Sequence, residues 1–286
     1  MKTKNIKYVV SAMLLSLSMT SCEDFLTRPV EDNYNTENYY TDDASCIRGV
    51  NYLYNSPWYD FQRGFIKIGE VMSGNMYWGS SPYMNFSVNG TDQDLVNMSY
   101  SLWAEIGHAN TVYNSIKGSS ASQSVKDQCM GECLAWKAMA YFFLVRSFGD
   151  VPIVHDNSVN LAAGDYNSLS KVQKADVYDY ILMTLEKAME LLPKTTSTSG
   201  RIDYYCAKGL YAKVLLTAAG VTGSLNNDYL QKASAASLDV INNSGRQLME
   251  NYEDIFRGSN NFSDESLIAW RWTVGAQWTC QNTLST

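Results

Sequence analysis

Only two histidines and five prolines occur in the 286 residues, and charged side chains make up just 18% of the chain. So few imidazoles exclude a centre built on a histidine cluster. His108 follows a glycine inside a helical pattern and His155 follows the extended run VPIV, so neither has an obvious nucleophile nearby, and both read as structural. HExxH, GxSxG and phosphate-loop patterns are all absent. No second apolar run of roughly 18 residues follows the one near the start, which excludes a spanning helix in the body of the chain. No basic cluster interrupts a net charge of −7, so a polyanion such as nucleic acid would be repelled and is not an expected partner. Cysteine is sparse as well. Setting Cys22 aside leaves an odd number scattered over a long chain, which implies no disulfide framework. Cys129 and Cys133 could share one face of a helix and hold a metal, but with no second such pair they read as small buried hydrophobes. No metal and no cofactor is implied.

What is present begins with the N-terminus. Lys2, Lys4 and Lys7 precede an apolar stretch from Val9 to Met19 that is too short for a comfortable bilayer span, and no acid appears before Glu23. Residues 1–21 therefore read as a secretory signal peptide. Met19-Thr20-Ser21-Cys22 places a thiol where the new N-terminus would fall, an arrangement that resembles a bacterial lipobox, with Cys22 as the lipid attachment site. A plain signal peptide with an incidental cysteine is the alternative. Removing residues 1–21 takes away three lysines and no acid, leaving 19 basic against 29 acidic residues in a distinctly acidic mature protein.

Between Ser99 and Val240 helical patterns alternate with polar, glycine-containing breaks, giving a helical block over about 99–242. In DVYDYILMTLEKAMELLP, Val177, Ile181, Leu185, Ala188 and Leu192 fall on one face and Pro193 ends the run, as in a helix packed on one side. GECLAWKAMAYFFLVRSFGDVP is apolar around its whole axis, with Lys137 and Arg146 as its thin polar face, and predicts a central buried helix that stops near Gly149. DYYCAKGLYAKVLLTAAG and NDYLQKASAASLDVIN read as a helical hairpin rich in small residues. Such pairs are similar to tetratricopeptide units, although longer loops break a strict 34-residue period. The fold class is thus mainly α, with tetratricopeptide-like hairpins, long loops and a few short strands. ESLIAWRW near the end has the alternation of one such strand.

Residues 70–98 differ in character. Gly, Ser, Asn and aromatic residues dominate, the composition of an exposed functional loop. A sugar ring offers an apolar C–H face and a rim of hydroxyls, so a site for it needs flat exposed aromatics beside amides or carboxylates. Tyr77, Trp78, Tyr83 and Phe86 lie here among Asn75, Asn85, Asn89 and Asp92. The candidate ligand set is Trp78, Tyr77, Tyr83, Asn75 and Asn85, against the alternative that these rings merely pin the loop. Trp270, Trp272 and Trp278 are weaker candidates, because alternate strand residues share a face that can be core. Trp103 and Trp136 are expected in the core. The pairs Asp42/Asp43 and Asp92/Asp94 read as solvated turns rather than as the two acids of a glycosidase or as calcium ligands.

Read in order, CEDFLTRPVEDNYNTENYYTDDA, LWAEIGHANTVYNSI, GECLAWKAMAYFFLVRSFGDVPIV, VYDYILMTLEKAMELLP, GRIDYYCAKGLYAKVLLTAAG and DESLIAW resemble the SusD/RagB family of Bacteroidetes outer-membrane lipoproteins. LVRSFGDVP is the most specific block, and Lys171 stands where the family commonly has arginine. The resemblance implies a nutrient-binding protein on the cell surface that captures oligomers, usually glycans. It would serve as the lid of a SusC-type TonB-dependent barrel and would not be an enzyme. It places the protein in the outer membrane facing outwards, held by lipid on Cys22, with Glu23 and Asp24 resembling the acidic surface-export signal. Members are usually much longer, so residues 22–286 read as the N-terminal portion of a SusD-like domain whose C-terminal half is missing. A surface glycoside hydrolase and a helical-repeat peptide-binding scaffold are the competing functions.

Overall fold

The computed structural model describes residues 39–164, 168–261 and 263–270; residues 1–21, Cys22, Trp272 and Trp278 lie outside them. The described residues from Tyr40 onward belong to one compact unit. Helix α1 (Asp43–Asn51) leads through short 3-10 turns to α2 (Phe61–Ile66), which runs into a π turn over Lys67–Val71. After the loop come α3 (Gln93–Gly118) and α4 (Gln123–Phe148), then the short α5 (Asn157–Ala163). Helices α6 (Lys174–Leu191), α7 (Tyr204–Ala218) and α8 (Asn227–Asn243) follow. The long helices pack largely in chain order: α3 on α4, α4 on α6, α6 on α7, α7 on α8, with α1 also against α4 and α2 against α3. None of the described helices is long and apolar enough to cross a membrane.

The helices begin where the chemistry predicts. Asp42, Asp92, Asp203 and Asn226 each accept a hydrogen bond from a first-turn amide, satisfying donors that a helix start leaves orphaned. The acids at 42 and 92 are therefore caps. Asp43 accepts hydrogen bonds from the Ser122 amide and hydroxyl, and Asp94 pairs with Lys67 and Arg63. Helix α4 is buried around its circumference from Cys129 to Tyr141, as its sequence requires, and ends at Gly149, whose φ of 72° suits a residue without a Cβ. A Cβ at Gly131 would meet Leu192 Cγ at 2.7 Å, so this glycine sets the close approach of α4 to the end of α6. Cys129 and Cys133 are free and buried, the small hydrophobes expected, and burial pushes the Cys129 thiol up to about 12. Trp136 is buried and Trp103 packs partly buried against the same core. Lys171 is exposed.

Two expectations are corrected. Residues 265–270 of ESLIAWRW form no strand; the β pairing among the described residues is the isolated bridge Val151–Val172. An alternating segment becomes a strand only where another edge accepts its hydrogen bonds, and helices occupy the neighbourhood instead. Trp270 packs on Trp58, Phe61 and Phe143 with ring centroids 5.1–6.1 Å apart, partly buried against the core. Lys137, expected on a polar face, is buried because α6 and the segment after α4 close over that side; Arg146 is exposed.

Helix α3 buries Met98, Leu102, Glu105, Ala109, Val112 and Ile116, alternate steps of four and three along one seam. Glu105 occupies a core position in that seam, fully buried, and both carboxylate oxygens lack a hydrogen-bond partner among the described residues. Desolvation raises its pKa well above the ordinary value. The native state then holds a proton that the unfolded chain releases, so Glu105 erodes stability as pH rises above the unfolded value. Glu105→Met is expected to stabilise the protein by about 1–3 kcal/mol near pH 7. The gap over the parent should shrink as pH falls to 4.5, and urea unfolding at both pH values checks it. A variant less stable than the parent at pH 7 would reveal a partner for this carboxyl.

Candidate functional site

The loop joining the π turn to α3 spans residues 72–92 and ends six residues earlier than the sequence suggests, because Asp92 caps the helix. Its anchor is Tyr83. The ring is 0% exposed, and its hydroxyl donates to Asp92 Oδ1 at 2.7 Å, the same oxygen that accepts from the Leu95 amide. Burial and the hydrogen bond to a carboxylate both push the Tyr83 hydroxyl up. Burial alone would raise Asp92, but the Tyr83 and Leu95 hydrogen bonds, with Lys67 nearby, bring it below the usual range. Tyr83 thus has no free face for a ligand and is removed from the candidate set; it pins the loop.

Lys67 sits at the centre of this arrangement. Its ammonium pairs with Asp94 and lies 5.4 Å from the Trp78 ring centroid and 5.3 Å from that of Tyr83. Trp78 is therefore half-buried, with a cation against its ring. Asn75 is exposed and donates to Glu70 Oε2 at 3.2 Å, and Asn85 is exposed. Tyr77 is 81% exposed. Phe86 is 69% exposed with φ 55°, an uncommon conformation for a residue with a Cβ. Backbone hydrogen bonds from Met76 to Glu70, Ser81 to Trp78, Met84 to Ser81 and Ser87 to Pro82 hold the path between these rings.

The structure brings Trp78 and Tyr83 together around Lys67 and leaves Tyr77, Asn75 and Asn85 facing solvent. Phe86, named in the loop but outside the chosen set, is exposed as well, second to Tyr77 among the loop rings. Tyr100 on α3 is also exposed; its position off the buried seam of that helix is the signal that could have found it. A cavity of about 750 Å³ is lined elsewhere, by Tyr54, Trp136, Arg201, Asp203 and Arg246 among others, and includes none of the loop aromatics. Two of its lining residues, Tyr54 and Arg201, also reach the buried Glu132. Glu132 accepts from the Tyr54 hydroxyl at 2.7 Å and Gln128 at 3.0 Å, with Arg201 Nη1 at 3.4 Å. These groups satisfy one another and serve the packing of α1, α4 and the start of α7. Among the described residues no three potential metal ligands come together.

Comparison with known proteins agrees with this architecture. A family model described as starch-binding and associating with the outer membrane, SusD-like, matches residues 55–216. A SusD-like protein of Bacteroides ovatus is 32% identical over 293 residues, covering 99% of this chain and 52% of that protein. A SusD-like protein, P2, of Formosa agariphila is 24% identical and is covered to 50%. A crystal structure solved with a xylogluco-oligosaccharide superposes with a TM-score of 0.77 at 30% identity, covering 84% of this chain and 49% of the other. The chain spans about half the length of the relatives it matches. A helical stack of this order, matched by the family model across α2 to α7, makes the chain a member of the SusD-like family.

Proposed function

We propose that this chain is the N-terminal portion of a surface lipoprotein that holds oligosaccharides for uptake through a SusC-type TonB-dependent barrel, without turning them over. The observation that carries the reading is the pinned loop. Its anchor, Tyr83, is spent on Asp92, while Tyr77 and Phe86 are held in solvent beside Asn75 and Asn85. Rings fixed before the ligand arrives lose little conformational freedom on binding, which favours stacking on sugar. The relative crystallised with a xylogluco-oligosaccharide supports an oligosaccharide as the ligand class. In this proposal residues 1–21 are the leader, and lipid on Cys22 with Glu23-Asp24 behind it holds the protein on the outward face. Cys22→Ala is expected to move the protein from the membrane fraction to the soluble one; unchanged partitioning counts against the anchor.

Tyr77→Ala, Trp78→Ala and Phe86→Ala are each expected to weaken glycan binding about threefold to tenfold, the scale of one aromatic stacking contact. Stability should separate them. Tyr77→Ala should stay within about 0.5 kcal/mol, whereas Trp78→Ala gives up its contact with Lys67 and should lose about 1 kcal/mol. Calorimetric titration against a panel of oligosaccharides, with melting curves on the same samples, reads both quantities. Affinity should change little with salt, since stacking and neutral hydrogen bonds are hardly screened. Full affinity in the triple variant would remove the loop from the site, and released reducing ends would favour the hydrolase.

A further inference from the structure

A second cavity, of about 220 Å³, lies among α3, α4, α6 and the segment after α4, and none of its lining residues belongs to the aromatic loop. Several waters would fit. Lys137 of α4 lines it and is only 6% exposed. Its ammonium lies 5.4 Å from the Tyr180 ring centroid and makes no hydrogen bond to any described residue. An ammonium on a buried stem, opening only into a cavity, is costly unless an acceptor is supplied there. Among the described residues none places an oxygen within hydrogen-bond distance of it. Asp156 acts on Lys137 through space, but its oxygens accept from the Ser158 amide, the Ser158 hydroxyl and Asn114 Nδ2. The Asn110 Nδ2 group donates to the Val154 carbonyl and to Asn157 Oδ1, which fixes that side chain in the wall. Burial holds the Lys137 amine at about 8.

Tyr113 and the exposed His155 also line the cavity, and the His155 ring stands edge-on to Tyr180 at 5.1 Å. Ala109, Cys133 and Leu134 supply an apolar part of the wall beside the polar Asn110 and Asn114, so the pocket offers both an apolar stem and a charged head a place. The occupant that completes this set carries one negative charge and two acceptor oxygens on a small apolar stem. We propose that the pocket binds a small carboxylate, with the Lys137 ammonium as counter-charge and Tyr113 and His155 as hydrogen-bond donors. A phosphate dianion fits less well, because a single cation faces it. The same carboxylate chemistry could come from a free short-chain acid or from an acidic sugar.

The test follows the Lys137 side-chain resonance of 13Cε-labelled protein through a pH titration, assigned by its loss in Lys137→Met. The other titratable groups around it are Tyr113, Cys133, His155, Asp156 and Tyr180. In chloride the midpoint should lie near 8, as burial dictates. Saturating acetate at matched ionic strength should raise it by about one pH unit, equivalent to tenfold tighter binding to the charged amine. Acetate should also raise the melting temperature of the parent and not of Lys137→Met. A shift with acetate alone identifies a short free acid as the source; an equal shift with glucuronate identifies an acidic sugar. No shift with either, or a larger shift with phosphate, overturns the proposal, and this measurement on the parent does not depend on how the variant folds.

Discussion

Arg201→Ala is expected to destabilise the protein by about 3–5 kcal/mol at pH 8, because it strands a buried carboxylate. Glu132 is fully buried, and Arg201 is the only cation paired with it among the described residues. The guanidinium also donates to Asn51 Oδ1 at 2.8 Å and to the Ile47 carbonyl at 3.3 Å, so it ties the end of α1 to the approach to α7. Desolvation already raises the Glu132 pKa, against the lowering effects of Arg201, Tyr54 and Gln128. Without Arg201 the carboxyl rises further and the native state takes up a proton that the unfolded chain releases. The variant should therefore lose stability as pH climbs from 4.5, and its deficit should be smaller at pH 5 than at pH 8. Adding Glu132→Gln should recover part of the loss. Equal deficits at both pH values would show that the lost contacts to α1, rather than the stranded charge, dominate.

The second large effect is expected at Trp58. This ring meets Phe61, Trp136 and Trp270 at centroid distances of 5.1–5.5 Å, and its indole N–H donates to the Leu53 carbonyl at 2.8 Å. Trp58→Ala should cost about 3–5 kcal/mol through the cavity it opens, and it orphans a buried carbonyl as well. Trp58→Phe keeps much of the packing and should cost less than half as much. Denaturant unfolding measures both. A loss below 1 kcal/mol for the alanine variant would mean that the neighbouring rings collapse into the space.

Local pattern reached the helices and stopped at long-range contacts. The spacing of Val177, Ile181, Leu185 and Ala188 fixes the buried face of α6, and the unbroken apolar circumference of α4 fixes its central place. Both signals sit within one element. Trp58, by contrast, joins a cluster assembled from positions as distant as 136 and 270, and nothing near 58 announces that. Tyr83 shows the same limit within the loop. Its composition matches that of Tyr77, six residues away, yet one ring is buried on a helix cap and the other stands in water. Which aromatic is free depends on where Asp92 starts α3. Lys137 is the converse case, a charge that sequence logic assigns to solvent and that two neighbouring segments enclose.

The buried cysteines bear on how any of these energies can be measured. Cys46, Cys129, Cys133 and Cys206 are all free, and burial pushes the Cys206 thiol up to about 11. Native packing thereby keeps the four sulfurs out of reach of oxidants. Unfolding removes that shield from all four at once. In air, each excursion to the unfolded state risks a crosslink that no native geometry can accommodate, and the chain does not return. Survival is then governed by how often the fold opens, and an apparent melting temperature moves with the heating rate. With a reductant present the same transition should run in both directions.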